Sequence, residues 1–303
     1  MDGERAALPG APEWRAFLDR LLLWSAAAAL GVALVFFVAY NWQTLGRFGK
    51  FALAELVVLG AVLGYWKLGV DRTAAKAALL GGAIALGALL ALFGQTYQTG
   101  ADPWQLFATW AVLVLPWAVV GEFAALWVLV VALVNAAVLL YFDAFPGRGS
   151  VFLFARERQH WTAFLVNAAA LALWELAALR FAWLAERWAP RLLAAVAGTA
   201  VTLLALRAVF DSGYDVRGAA ALAFLAWSAA LFVVYRRLRL DVFMLAGGCL
   251  SVIVMVASVL GRVIAEATRG ADAFGFLFVA LVVVGMAGAS GWWLRQVARE
   301  SGA

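Results

Sequence analysis

An all-α, polytopic integral membrane protein is the fold this sequence predicts, and three observations predict it. First, 66% of the 303 residues are apolar and only 14% are charged, against roughly 25% charged in an ordinary soluble domain. Second, the apolar residues are gathered in runs of the length that crosses a bilayer as a helix, about 20 residues. Third, those runs are rich in Ala, Leu and Val and lack the alternation of a membrane barrel. Backbone groups in lipid must close their hydrogen bonds internally, so helices are the remaining option. This composition excludes a soluble enzyme, a nucleic-acid-binding domain and a disordered tail. With one Cys (Cys249) and one His (His160), a disulfide framework, a zinc cluster and a bis-His haem site are excluded too, and no cofactor is expected.

The elements follow in order. Residues 1–20 form a cytoplasmic N-terminus whose last part, 13–20, carries Trp14, Phe17 and Leu18 on one side and Arg15, Asp19 and Arg20 on the other. That pattern predicts a short amphipathic helix at the interface. The first apolar run, 21–40, is longer than a signal-peptide core and further spans follow it, so it is not read as a cleaved signal. Runs 51–66, 74–93, 106–120 and 123–142 come next, then 161–178, 192–210, 219–235, 242–260 and 274–294. The expectation is a ten-helix transmembrane domain over 21–295 and a cytoplasmic tail over 296–303. Only Gly121 and Glu122 separate the fourth and fifth runs, which leaves a helical hairpin and one broken segment both open.

Basic residues set the orientation. With the N-terminus inside, fourteen of the 23 Lys and Arg fall in cytoplasmic segments, so the sequence predicts a multi-pass protein with both termini cytoplasmic. The net charge of +5 is what loops beside anionic lipid carry, so the partner is the bilayer and no nucleic acid is needed. Trp42, Trp66, Trp104, Trp161, Trp188, Trp292 and Trp293 flank spans, as in an interfacial aromatic belt.

A shift of 117 residues aligns Gly81 with Gly198, Phe93 with Phe210, Tyr97 with Tyr214, Phe107 with Phe224 and Trp110 with Trp227, ten identities in thirty positions. The offset is four spans, so the two units of such a weak internal repeat run parallel. Small residues mark close helix approach: Gly60 and Gly64, Gly81, Gly82 and Gly87, Gly247 and Gly248, and Gly285, Gly288 and Gly291. They read as intramolecular packing, with a dimer face as the alternative, so a homo-oligomer is possible but unsupported.

Polar residues in spans need a reason. Asn41 ends the first run, Lys50 opens the second and Glu55 lies on it, while the third runs into Gln95, Tyr97, Gln98 and Asp102. On the expected topology all of these reach one outer layer. Uncharged amides and glycines over 94–100 suit either backbone that lines a cavity or an ordinary tight loop. Glu55 is the most informative, because a carboxylate within a span usually faces the bundle interior. Asn135 and Asn167 lie nearer mid-membrane and suit hydrogen bonds across helices. Glu175 pairs most simply with a basic residue such as Arg180, and Pro116 should kink the fourth span.

Two apparent motifs fail. Gly288-Ala289-Ser290-Gly291 spells an intramembrane serine-protease motif, but the only His lies 130 residues before it, and a nucleophilic Ser needs a base within reach. No span holds the paired Asp of an aspartyl protease. An enzyme is therefore not expected.

The segments Ala39-Tyr40-Asn41-Trp42, Gly49-Lys50-Phe51 and Gly94-Gln95-Thr96-Tyr97-Gln98-Thr99-Gly100-Ala101-Asp102 together resemble a bacterial family of predicted membrane proteins, domain of unknown function 2157. The resemblance covers about residues 14–117. It implies a polytopic inner-membrane protein and carries no established activity with it. Two functions fit the residues. The first is a small-solute carrier or channel with an outer vestibule of Asn41, Lys50, Glu55, Gln95, Tyr97, Gln98 and Asp102, a path past Asn135 and Asn167, and Glu55 coupling to a proton or cation. The second is a non-transporting sensor or assembly subunit with an outer-face ligand or partner pocket.

Overall fold

The computed structural model describes residues 10–40, 44, 46–145, 158–211, 217–268 and 273–300, and every regular element among them is helical. Ten long helices form: α1 (Ala11–Tyr40), α2 (Arg47–Leu68), α3 (Thr73–Tyr97), α4 (Pro103–Gly121), α5 (Ala124–Ala144), α6 (Arg158–Ala177), α7 (Trp188–Phe210), α8 (Arg217–Val233), α9 (Val242–Thr268) and α10 (Ala273–Glu300). Among the described residues, eight helical stretches are long and apolar enough to cross a membrane: α2 to α5, α7, α8 with its extension to Leu238, α9 and α10. The chain is thus a polytopic, all-helical membrane protein. α6 falls short of the same hydropathy because His160, Asn167 and Glu175 dilute its apolar residues.

α1 corrects one expectation. The interfacial helix and the first apolar run form a single 30-residue helix, since no Gly or Pro stands between Arg20 and Leu21 to stop it. The break at Glu122 is real: α4 ends at Gly121, Glu122 takes a left-handed φ of 49°, and α5 starts at Ala124. Pro116 lies inside α4, which continues through it.

The helices fall into two compact units, Met1–Ala137 and Val138–Ala303. In the first, α3 is central and packs against α1, α2 and α4. Its core joins Leu79 and Ala83 of α3, Val114 and Ala118 of α4, and Leu126 and Val130 of α5. Small residues let the backbones approach. Gly64 meets Ala78, and Gly82 lies against Ala61 and Trp117, which accounts for the extensive α2–α3 contact. Trp110 covers Gly87 so closely that a Cβ there would overlap its ring, and its Nε1 donates to the Ala83 carbonyl at 2.8 Å.

In the second unit α7 takes the central place, against α6, α8 and α9, with α10 packed on α9. Its core gathers Trp161 and Phe164, Ala197, Val201 and Leu204, and Phe224. Trp161 is therefore a core residue rather than part of an aromatic belt, because it points along α6 toward α7. Trp66, Trp188 and Trp292 are exposed, as a belt requires.

The 117-residue shift matches α3 with α7 and α4 with α8, and in each unit the paired Trp sits over a Gly of the central helix: Trp110 on Gly87, Trp227 on Gly198. The register differs, since Gly87 aligns with Leu204. The small-residue reading needs correction at six positions: a Cβ at Gly60, Gly81, Gly247, Gly285, Gly288 or Gly291 would meet no atom within 4 Å among the described residues.

Candidate functional site

The sequence-predicted polar layer maps to one end of the α2–α3 pair. Phe51 in the first turn of α2 meets Phe93 and Tyr97 in the last turns of α3, with ring centroids 6.5 and 6.0 Å apart. That aromatic contact brings Lys50 to the same end as Gln95, Tyr97, Gln98 and Asp102. Gly94 to Tyr97 are helical, so no re-entrant backbone forms there. α3 stops because Gln98 turns left-handed at φ 44°, Gly100 follows at φ 64°, and Pro103 opens α4. The connection is a tight loop, and Gly100 is used for its positive φ.

The side chains of this layer do not converge inward. The face of α2 that meets α3 runs through Phe51, Ala54, Val58, Ala61 and Tyr65, the period of a packed helix. Glu55 stands beside that stripe and is exposed, contrary to the expectation that it faces the bundle interior. Gln95, Tyr97 and Gln98 are exposed as well, while Lys50 and Asp102 are half-buried. Asn41 lies outside the described residues. Of the mid-membrane amides, Asn135 donates to the Val131 carbonyl and Asn167 to that of Ala163, both at 2.8 Å and each within its own helix. Asn167 is buried and belongs to the second unit.

The strongest polar constellation lies elsewhere, at one end of the second unit, where the end of α6 and the start of α7 meet the α8–α9 connection. Arg187 bridges two carboxylates: its Nη1 donates to Glu175 Oε1 at 3.0 Å and its Nε to Asp241 Oδ2 at 3.1 Å. Arg191 Nε reaches the same Oδ2 at 3.1 Å. Glu175 also accepts from the Tyr235 hydroxyl at 2.9 Å and from Arg239 Nη1 at 2.6 Å. Its partners are thus Arg187, Arg239 and Tyr235 rather than Arg180, brought to it by the start of α7 and the α8–α9 connection.

Local structure sets these positions. Residues Val234–Leu238 form a π-helical turn at the end of α8, in which the Arg239 amide bonds the Val234 carbonyl. Such wide turns redirect side chains, and here Tyr235 and Arg239 both reach Glu175. Asp241 then caps α9, with Oδ1 accepting from the amides of Phe243 and Met244 at 3.1 and 3.4 Å. Both its oxygens are occupied and only 2% of its side chain is exposed. Burial pushes the Asp241 carboxyl up, but hydrogen bonds and charge from Arg191 and Arg187 outweigh it and hold it below the usual 3.8. Burial works against the Arg187 cation, and the charges of Glu175 and Asp241 more than restore it. The cluster is an ion-paired brace of two carboxylates and three arginines, with one positive charge in excess.

Sequence reasoning missed it. The signal was present: Arg187, Arg191, Arg236, Arg237 and Arg239 bunch in two connections at one membrane end, with Glu175 and Asp241 nearby. They had been read only as marks of orientation.

Residues 4–127 match the family model described as "Predicted membrane protein (DUF2157)". That segment holds the α2–α3 end and most of the first unit, and it stops short of the brace. It agrees with the resemblance carried by the Lys50 and Gln95–Asp102 motifs. No curated protein and no solved structure matches the chain.

Proposed function

We propose that the protein is a non-transporting membrane subunit, a sensor or assembly factor, whose α2–α3 end engages a ligand or partner. The observation that carries this reading is the outward placement of Glu55, Gln95, Tyr97 and Gln98. A carrier needs its polar groups inside the helix packing, on a path that both sides can reach. Groups exposed on the flank and end of α2 and α3 suit recognition from outside that packing. The family match over 4–127 includes this end. The excess of Lys and Arg in the alternate loops supports an orientation with this end away from the cytoplasm, and the similarity to a bacterial membrane-protein family supports an inner membrane.

The test uses the single native thiol. In a Cys249→Ala background, single cysteines at Glu55, Gln98, Asn135 and Asn167 are exposed to a membrane-impermeant thiol reagent from either face. Labelling at Gln98 and Glu55 from one face, with Asn135 and Asn167 unlabelled, supports the reading. Labelling of Asn135 or Asn167 from both faces overturns it in favour of a small-solute carrier or channel.

A further inference from the structure

Within the second unit a half-open cavity of about 300 Å³ lies between α8, α9 and α10, and neither the brace nor the α2–α3 end uses it. Leu231 and Phe232 of α8, Gly248 and Cys249 of α9, and Ser290 and Trp293 of α10 are among the residues that line it. The walls are held apart by contacts at their edges. Phe232 stacks on Trp293 with centroids 5.9 Å apart and planes at 21°, and Leu231 fills the space beside Gly248. The cavity is of the smallest size that small ligands occupy, and nearly all its lining is apolar.

One end of the cleft is charged. One turn beyond Phe232 comes Arg236, whose Nη2 donates to Glu300 Oε2 of α10 at 2.6 Å, so the two walls are clasped at that end. Arg237 beside it is exposed, and among the described residues it has no ion pair. From Arg236 back to Ser228, which also lines the cleft, eight helical residues cover roughly 12 Å. An apolar cleft whose α8 lining ends at Phe232, one turn short of arginines, matches an amphiphile with an anionic head.

We infer that the α8–α9–α10 cleft binds an anionic phospholipid, one acyl chain between Phe232, Cys249 and Trp293 and the phosphate at Arg236 and Arg237. The occupant is a lipid rather than a free phosphate, because the arginines stand at the edge of the cleft and most of the enclosed surface is apolar. The inference stands independently of the proposed function.

Cys249 lines the cleft and is partly exposed, so it reports on occupancy. The full chain in a neutral detergent is alkylated with N-ethylmaleimide while phosphatidylglycerol or phosphatidylcholine of equal acyl length is titrated in. Phosphatidylglycerol is expected to protect Cys249 at lower concentration. Arg237→Gln should shift that protection by a factor of about five, the contribution of one surface arginine toward an anionic lipid, without shifting that of phosphatidylcholine. Ser290→Leu, which fills the cleft, should slow alkylation without lipid and abolish the response to it. Equal protection by the two lipids, unchanged in Arg237→Gln, would mean annular lipid only and overturn the inference. Protection that grows with protein concentration in lipid-free detergent would assign the cleft to a second copy and also overturn it.

Discussion

At the residue scale, Asp241 combines two structural duties. It closes the N-terminus of α9 through one oxygen and holds Arg187 and Arg191 through the other. Asp241→Asn keeps a capping acceptor but removes the charge facing two arginines. Breaking a buried pair costs about 3–5 kcal/mol, and the partial exposure of both arginines reduces that to roughly 2 kcal/mol. The expected outcome is a thermal unfolding midpoint lower by several degrees in detergent; an unchanged midpoint would contradict the brace. The pH dependence has a definite sign. The folded Asp241 carboxyl lies below its unfolded value near 3.8, so its contribution is complete above that pH and is lost as pH falls through the lower folded value. Acid unfolding of the native chain should therefore show a limb below about pH 4 that is weaker in Asp241→Asn.

Glu175 was legible as a polar residue in need of a partner, but its partners were not. They arrive from residues 12 and 60 positions away, and the wide turn that aims Tyr235 leaves no mark in composition or spacing. Glu175→Gln is expected to weaken its bonds to Arg187 and Arg239 while retaining an acceptor for Tyr235. Its midpoint should fall less than that of Glu175→Leu, which strands Arg239 and leaves Arg187 with Asp241 alone.

At the scale of elements, long apolar runs bounded by charges were readable because length and hydropathy are properties of each segment alone. Packing was readable only where a small residue met a large one. Gly82 and Gly87 were marked as contact points, and the structure fills them with Trp117 and Trp110. Gly285, Gly288 and Gly291 bear the same signature and face open space, since a stripe of glycines says that something can approach but not what does. Gly87→Val must displace the Trp110 ring and break its bond to Ala83, costing about 1–3 kcal/mol as overpacking. Gly288→Val, with no neighbour to displace, should cost far less. A thermal melt of the two variants side by side separates a filled glycine from an open one.

At the scale of the whole molecule, the two units share a plan, with a central helix, α3 or α7, flanked by the preceding and following helices and covered by an aligned Trp. Their polar features differ. The first unit presents its polar residues outward at the α2–α3 end, and the second locks its own into a brace at one end of its bundle. The candidate site was half legible: the sequence grouped Lys50 with Gln95–Asp102, and the Phe51 contacts with Phe93 and Tyr97 bring those helix ends together. It could not tell which way Glu55 faces, because that depends on which stripe of α2 meets α3. The central claim is that polar side chains in the first unit serve its surface and not a path through it. A nitroxide at position 135 in the Cys249→Ala background, in lipid nanodiscs, tests this most directly. Collision with dissolved oxygen exceeding collision with a water-soluble nickel complex is the predicted result. The reverse order would place water at mid-membrane beside Asn135 and contradict the account.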